Sequence, residues 1–240
     1  MSDDATHKFD AARAAEYEEQ SRIALAGYDA CHELTACVLA ALLGKGSDAT
    51  ILVAGAGGTG NEILTATRIE PQWKFVAVDP SKPMLDLALS RVAQAGFAGR
   101  IDGVHGYVKD LPPARLYDAA TLIGVLHHLP GDQEKRAILH QIASRLIPDA
   151  PFILACNHYS YESQPLLLSA WAERWRLHGA HPEQVKAKLA KILDKADPPQ
   201  SEEAVTALLL DAGFEKPLRF FSSLFWGAWV SRRTKFPLTA

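Results

Sequence analysis

The chain has 240 residues, of which 48% are hydrophobic and 22% are charged. This is the composition of a folded globular protein, and it excludes intrinsic disorder and collagen-like repeats. Lys and Arg number 25 against 28 Asp and Glu, so the net charge is −3. Because proteins that bind nucleic acid or anionic membranes usually carry a basic surplus, we expect neither partner. The length suits one large domain, or one domain with additions.

Three features bear on the compartment. The first residues, Met1–Asp4, are polar and acidic, unlike the start of a secretory signal. The longest apolar stretch, around Leu34–Leu43, falls short of the about 20 residues that a membrane-spanning helix needs. Cys31, Cys37 and Cys156 form no CxxC pair, and three cysteines cannot all be disulfide-bonded within the chain. We therefore predict a cytoplasmic protein without a membrane partner.

Hydrophobic periodicity predicts two N-terminal helices over residues 9–43. Apolar residues recur at helical spacing on both sides of a break at Gly27, and the second helix stops at Gly44–Gly46. The run Thr50–Ala54 that follows is short, almost entirely apolar and ended by glycines. Such a run is typical of a buried parallel strand.

Strands and helices then alternate along the chain. Further apolar runs predict strands at Lys74–Val78, Ile101–His105, Tyr117–Ile123 and Pro151–Ala155. Helical periodicity predicts helices between them, at Asn61–Arg68, Pro83–Ala95 and Gln133–Leu146. Alternation of this kind predicts an α/β protein with a parallel sheet that is covered on both faces.

The alternation ends after the fifth strand. Residues 163–195 predict helices with no strand between them, and Ser201 is placed to cap one more helix. Two aromatic-rich runs, Phe214–Phe221 and Leu224–Ser231, follow and predict an antiparallel hairpin. This hairpin could pack on its own sheet or on a second subunit, so a homodimer stays open.

A glycine-rich loop, Gly55–Gly60, ends the first strand and opens the helix after it. Glycines suit a place where the chain turns sharply and a ligand approaches the backbone. Asp79 ends the next strand, where a carboxylate can accept hydrogen bonds from both ribose hydroxyls. The pattern predicts a nucleoside-containing ligand. A dinucleotide cofactor also fits the loop, and the alternative without a ligand is a tight turn with Asp79 capping the next helix.

The rest of the chain favours one cofactor. A dinucleotide fold would continue in parallel βα units, whereas this chain ends in the predicted hairpin. The order of its motifs resembles the class I S-adenosylmethionine (SAM) methyltransferases, through Ile51–Gly60, Phe75–Asp79, Gly106–Pro112, Tyr117–Leu129 and Ala212–Phe214. The resemblance covers roughly residues 50–231. It implies a Rossmann-like α/β fold whose seven-stranded, mostly parallel sheet ends in a C-terminal antiparallel hairpin.

The resemblance also implies how one SAM-binding domain over residues 1–240 is organised. A helical N-terminal lid would span residues 1–48, and the nucleoside-binding core 49–156. A helical insert after strand five would span 157–200, and a helix with the hairpin 201–240.

SAM is the cofactor that the resemblance implies, and ten residues would contact it. Tyr28 of the lid would reach the methionine end, Asp79 would hold the ribose hydroxyls, and the Ile123 backbone would lie beneath the sulfonium. The others would line the ribose, methionine and adenine portions; they are Gly55, Ala56, Gly57, Pro80, Met84, Tyr107 and Val108.

Two positions depart from the family pattern. Ala54 stands where many members carry an acid before the first glycine. Tyr107 stands where an acid usually follows the glycine of the third strand, and Asp110 comes three residues later. Both changes leave contacts from the backbone available to a nucleoside.

A narrower resemblance is to the carboxy-SAM synthase branch, which modifies the methyl group of SAM instead of transferring it. It rests on Phe9-Asp10, Gly27-Tyr28, a helical insert around Gly179 and Phe225–Gly227. In that branch a basic side chain of the insert holds the added carboxylate, and this chain departs from it by having Lys188 or Leu189 there instead of arginine.

Methyl transfer from a sulfonium needs an aligned acceptor, exclusion of water and, for some acceptors, a base. His127 and His128, just past the fourth strand, are the candidate catalytic bases, with helix capping or packing as the alternative. Asn157 and Tyr161, after the fifth strand, are candidates for substrate contact, as is Tyr17 on the first helix. We expect no metal, because no metal-ligand spacing is evident.

Three hypotheses of function follow. The first is SAM-dependent methyl transfer to the O, N or C of a small molecule. The second makes SAM itself the substrate, through carboxy-SAM-type synthesis, intramolecular cyclisation or lysis. The third is a non-catalytic SAM-binding protein, suggested by the absence of acids at Ala54 and Tyr107.

Overall fold

The computed structural model describes residues 11–235, with the backbone alone for residues 11–15. Phe9 and Asp10, which contributed to the narrower resemblance, lie outside these residues. The helices α1, Ala11–Ala24, and α2, Tyr28–Leu43, come first. Gly27 between them has a φ of 81°, a left-handed conformation that glycine adopts readily. The predicted break between the two helices is therefore confirmed.

The remaining elements follow the predicted order. The strands are β1 Thr50–Ala54, β2 Lys74–Asp79, β3 Ile101–His105, β4 Ala119–Ile123, β5 Pro151–Asn157, β6 Leu218–Ser223 and β7 Trp226–Arg232. The helices after α2 are α3 Asn61–Ile69, α4 Lys82–Gln94, α5 Gly131–Ala143, α6 Pro165–Leu177, α7 Pro182–Lys195 and α8 Glu202–Asp211.

The strands of the described residues form one seven-stranded sheet in the order β3-β2-β1-β4-β5-β7-β6. β1 to β5 are parallel, whereas β7 runs antiparallel to both β5 and β6. The predicted fold class is therefore confirmed. In such sheets the ligand crevice lies beyond the carboxyl ends of the strands, where the strand order reverses. Here that point lies between β1 and β4.

Two predicted strands begin later than expected, each for a local reason. Tyr117 does not join β4, because its backbone N–H donates to Arg145 and its carbonyl accepts from Ile147. Phe214 forms only an isolated bridge with Arg233, and β6 begins at Leu218. The preceding Pro217 has no backbone N–H to give to the ladder.

Both faces of the sheet are covered, as the apolar strands require. On one face, buried strand residues pack with residues of α5 and α8; this core includes Leu52, Leu122, Leu154, Leu139 and Leu208. On the other face they pack with α2, α3 and α4; this core includes Ile51, Val53, Ile153, Leu39, Ile63 and Leu85. Trp171, Trp175, Trp226 and Trp229 are all buried, as expected of core residues.

The helical insert, α6 and α7, is tied to the end of α1. Trp171 Nε1 donates to the Ala24 carbonyl at 2.9 Å, and Arg174 Nε donates to the Ile23 carbonyl at 2.7 Å. These carbonyls lie in the last turn of α1, where no helical N–H reaches them. Lys188 Nζ donates to Gln20 Oε1 at 2.6 Å, so α7 also contacts α1. The N-terminal helices and the insert therefore hold each other.

Candidate functional site

The glycine loop packs so tightly that Gly55 and Gly57 have no room for a side chain. A Cβ on Gly57 would lie 2.5 Å from Met84 Cβ and 2.6 Å from Asp79 Oδ2. Gly55 has a φ of 71°, and a Cβ there would lie 2.2 Å from Val125 Cγ2. The loop follows β1 directly and turns into α3 at Gly60, whose φ is 63°. Within the loop, the N–H groups of Gly55 and Ala56 donate to the Val78 carbonyl and that of Gly58 donates to the Met84 carbonyl, so the loop backbone is held in place at the start of a helix.

Asp79 lies at the carboxyl end of β2 and binds the loop. Its Oδ2 accepts from Gly57 N at 2.9 Å and its Oδ1 accepts from Ser81 N at 2.7 Å. Burial raises the pKa of this carboxyl, and the two backbone hydrogen bonds lower it. Because a carboxylate offers about four acceptor positions, two remain for ribose hydroxyls. The bond to Ser81, the N-cap residue of α4, shows that the capping role and the binding role are compatible.

Two tyrosines of the lid contact the glycine loop. A Cβ on Gly58 would meet Tyr17 Cε1 at 2.4 Å, so this ring lies directly on the loop backbone. The hydroxyls of Tyr28 and Thr59 share a hydrogen bond of 2.5 Å. Burial raises the Tyr28 pKa, so its hydroxyl stays neutral. Tyr17 and Tyr28 are 11 residues apart in sequence and lie on different helices, and both contact the same loop.

On the side of the crevice predicted for adenine, Met84 and Val108 are buried and Pro80 and Tyr107 are partly exposed. The Tyr107 N–H donates to Asp110 Oδ2 at 2.8 Å. Asp110 therefore folds back on the turn after β3, where it caps the short 3-10 helix Val108–Asp110. Its position three residues late in the sequence still brings its carboxylate to Tyr107.

Ile123 and the histidine pair lie at the carboxyl end of β4. His127 is buried, its ring packs edge-on against Trp226, and its Nδ1 accepts from Asn157 N at 3.3 Å. His128 is partly exposed, with its ring centroid 4.3 Å from that of His127. The two histidines thus differ in surroundings, as expected of neighbours in a short 3-10 turn.

Asn157 and Tyr161 are brought together below the surface. Asn157 Nδ2 donates to Tyr161 Oη at 2.8 Å, and both residues are buried. Tyr161 packs against Trp171 and Phe225, and burial raises its pKa to about 12. Asn157 Oδ1 has no hydrogen-bond partner among the described residues. Contact between these residues and a substrate stays a prediction.

The sequence interpretation missed two residues of this region. Thr59, in the glycine loop, bonds to Tyr28 as well as to the Asn61 backbone. Glu62 follows in the first turn of α3, and its Oε2 is shut off from solvent. An acid in the first turn of a helix is a common favourable pairing with the helix dipole, so nothing in the sequence marked Glu62 as buried.

The described residues show neither a metal centre nor a membrane-spanning helix. They contain no group of three or more His, Cys, Asp or Glu that could hold a metal ion. No helix among residues 11–235 is long and apolar enough to cross a membrane.

A segment of this chain is similar to a known family of domains. Residues 52–152 match a family model described as a methyltransferase domain. The segment runs from β1 to β5 and contains the glycine loop, Asp79 and both histidines. For this segment the match bears out the predictions of a transferase enzyme and of SAM as its cofactor. A search of curated proteins found no match.

Solved structures similar to this chain include small-molecule methyltransferases. One is the 1,6-didemethyltoxoflavin-N1-methyltransferase of Burkholderia thailandensis, with bound 1,6-didemethyltoxoflavin and S-adenosylhomocysteine: 21% identity, TM-score 0.60, 96% of this chain and 91% of that one. Another is an O-methyltransferase family 2 protein from Planctomyces limnophilus in complex with apigenin. It has 15% identity and a TM-score of 0.61, and the match covers 86% of this chain and 62% of that one. A third is human N-acetylserotonin methyltransferase in complex with SAM: 17% identity, TM-score 0.60, 86% and 52%.

At these identities the similarity shows a shared fold. The chain spans 62% of the length of the Planctomyces structure and 52% of that of the human structure. The comparisons do not single out the carboxy-SAM synthase branch, and membership of that branch stays a prediction.

Proposed function

We propose that the protein is a SAM-dependent methyltransferase that acts on a small-molecule acceptor. The observation that carries the proposal is the hydrogen bond between Gly57 N and Asp79 Oδ2 within the segment that matches a methyltransferase domain. This bond holds the glycine loop against a buried carboxylate at the crevice. The arrangement offers a nucleoside a carboxylate that can accept hydrogen bonds from its ribose, beside a loop that has no side chain at Gly57.

Five of the ten predicted binding residues have a specific role in this proposal. Asp79 accepts hydrogen bonds from the ribose hydroxyls, with Pro80 and Met84 beside the adenine. The backbone at Ile123 lies beneath the sulfonium, and Tyr28 closes the methionine end. SAM supplies the electrophilic methyl group, and the protein aligns it with the acceptor and excludes water.

The acceptor is proposed to be a small molecule for two reasons. The net charge of −3 gives no basic surface for a nucleic acid. In addition, structures of the same fold were solved with apigenin and with 1,6-didemethyltoxoflavin bound. Aromatic O–H and N–H acceptors are therefore the first classes to test.

Between the two candidate bases, the geometry favours His128. His127 Nδ1 accepts a hydrogen bond from the Asn157 backbone, so in the neutral ring the proton lies on Nε2. A ring in that state has no free lone pair with which to take a proton from an acceptor. His128→Gln should lower kcat, whereas His127→Gln should mainly affect stability.

The test is a pair of measurements on the purified protein. Isothermal titration with SAM and with NAD should show binding of SAM alone. Incubation with SAM and a panel of phenols and nitrogen heterocycles should then yield a methylated product, detected by mass spectrometry. Binding of NAD without SAM would end the proposal.

A second candidate is that SAM itself is the substrate. It is favoured by the lid and the insert, which hold each other through Arg174 and Lys188 and so can enclose the crevice. Incubation of the enzyme with SAM alone would then give a product without any acceptor. A third candidate, a non-catalytic SAM-binding protein, is favoured by the engaged lone pair of His127 and predicts tight binding without turnover.

A further inference from the structure

Glu62 carries a carboxyl group to which the proposed function gives no role. Its Oε2 is inaccessible to solvent and has no hydrogen-bond partner among the described residues, although the residue as a whole is only partly buried. A buried polar atom without a partner costs free energy, so its retention points to a partner that binds there.

Among the described residues, the groups that interact electrostatically with Glu62 include Tyr28 and Cys31 of α2 and Thr121 of β4, and none of these three is a cation. Burial raises the pKa of Cys31 to about 12 and that of Tyr28 even further, so both stay neutral. Thr121 Oγ1, like Glu62 Oε2, is buried without a partner in the described part of the chain.

At a pH below its raised pKa, Glu62 in the free protein is therefore mainly in the protonated, neutral form. Burial raises its pKa to about 8, and the nearby Thr121 hydroxyl lowers it only in part. An incoming cation would reverse this balance, because an opposite charge nearby favours the ionised form.

The position of this carboxyl matches one end of the proposed ligand. Thr121 lies two residues before Ile123 on the same side of β4, since side chains alternate along a strand. Tyr28, the other neighbour, bonds to Thr59 of the glycine loop. Glu62 therefore has neighbours on both sides of the end proposed for methionine, Tyr28 on α2 and Thr121 on β4.

We infer that Glu62 is the counter-ion for the α-ammonium group of the SAM methionine portion. The inference rests on the proposed function, because it concerns the same crevice. On binding, the carboxylic acid gives its proton to solvent and becomes a carboxylate, while the ammonium keeps its three protons. The ion pair then gives Oε2 the partner that it lacks in the free protein.

The test measures protons released on binding at pH 6.5, where the α-ammonium is fully charged. Titration calorimetry in two buffers of different ionisation enthalpy should report release of close to one proton for SAM and for S-adenosylhomocysteine. Methylthioadenosine, which lacks the amino-acid portion, should release none. Glu62→Gln should release none with any ligand and should bind SAM at least tenfold more weakly, with methylthioadenosine binding unchanged.

A matched control is Glu33→Gln, because Glu33 is exposed on α2. This variant should behave as the wild type. If the wild type binds SAM without proton release and Glu62→Gln binds it equally well, the inference is wrong and the proposed function stands. If the wild type does not bind SAM at all, the proposed function itself fails.

The stability of the free protein gives an independent readout. Because the Glu62 pKa is raised on folding, its contribution to stability is fully present below about pH 4.5 and is lost as the pH rises to about 8. The melting temperature of the wild type should therefore fall more steeply between pH 5 and 8 than that of Glu62→Gln. Equal slopes would contradict a buried neutral acid.

Discussion

The floor of the crevice and its cover are built by different means. The floor consists of β1, β2 and the glycine loop, where the buried side chains of Asp79 and Met84 leave no space for a Cβ at Gly57. The cover consists of α1, α2 and the insert, joined by single side-chain contacts such as Arg174 to the Ile23 carbonyl. The difference suggests that changes in the floor abolish ligand binding, whereas changes in the cover act by smaller steps.

The largest effect is expected from Gly57→Ala. The added Cβ would lie within 2.6 Å of both Met84 and Asp79, and both are held in buried positions. We expect loss of measurable SAM binding in calorimetry and destabilisation by about 1–3 kcal/mol in denaturant unfolding. Gly99→Ala is the control, because no atom lies within 4 Å of the added Cβ. Normal SAM affinity in Gly57→Ala would refute the tight floor.

Asp79→Ala should have the next largest effect. It removes the acceptor proposed for the ribose hydroxyls and the bond to Gly57 N. SAM binding should weaken by about 1–3 kcal/mol, or roughly fivefold to more than a hundredfold, in the same titration. Unchanged affinity would remove Asp79 from the site and leave only its capping role.

In the cover, Arg174→Ala should lower stability without removing the fold. It leaves the carbonyls of Arg22 and Ile23 without their charged donor. We expect the free energy of unfolding to fall by about 1–2 kcal/mol and amide exchange in α1 to rise. Arg176→Ala is the control, because Arg176 is exposed and pairs only with Glu173 on the same helix. Equal effects of the two variants would contradict the proposed tie.

The smallest effect is expected from Tyr28→Phe. This variant keeps the ring and removes only the hydroxyl that bonds to Thr59. The loss should weaken SAM binding by about 0.5–1.5 kcal/mol, measured by titration. A loss as large as that of Asp79→Ala would show that the cover and the floor contribute alike.

The sequence predicted the floor well because its signals are local. A strand followed by glycines, with Asp79 at the end of the next strand, defines the relative position of loop and acid through the parallel sheet alone. The seven-stranded, mostly parallel sheet and its antiparallel hairpin were likewise predicted correctly. The predicted starts of two strands, at Tyr117 and Phe214, were wrong. Backbone hydrogen bonds join these residues to other segments of the chain.

The cover could not be derived in the same way. Arg174 lies in the predicted helical stretch 163–195, and its hydrogen bond joins it to Ile23 at the end of α1, 151 residues away in sequence. Glu62 was not singled out, because its burial depends on how α2 packs against α3. Contacts between distant helices depend on packing that one sequence does not display.

The central claim is that the crevice above the glycine loop binds SAM through Asp79. A crystal structure of the complex with S-adenosylhomocysteine tests it most directly. We expect both ribose hydroxyls within hydrogen-bonding distance of the Asp79 carboxylate and the amino-acid end toward Tyr28 and Glu62. A nucleoside bound elsewhere, or in this crevice without contact to Asp79, would contradict the account.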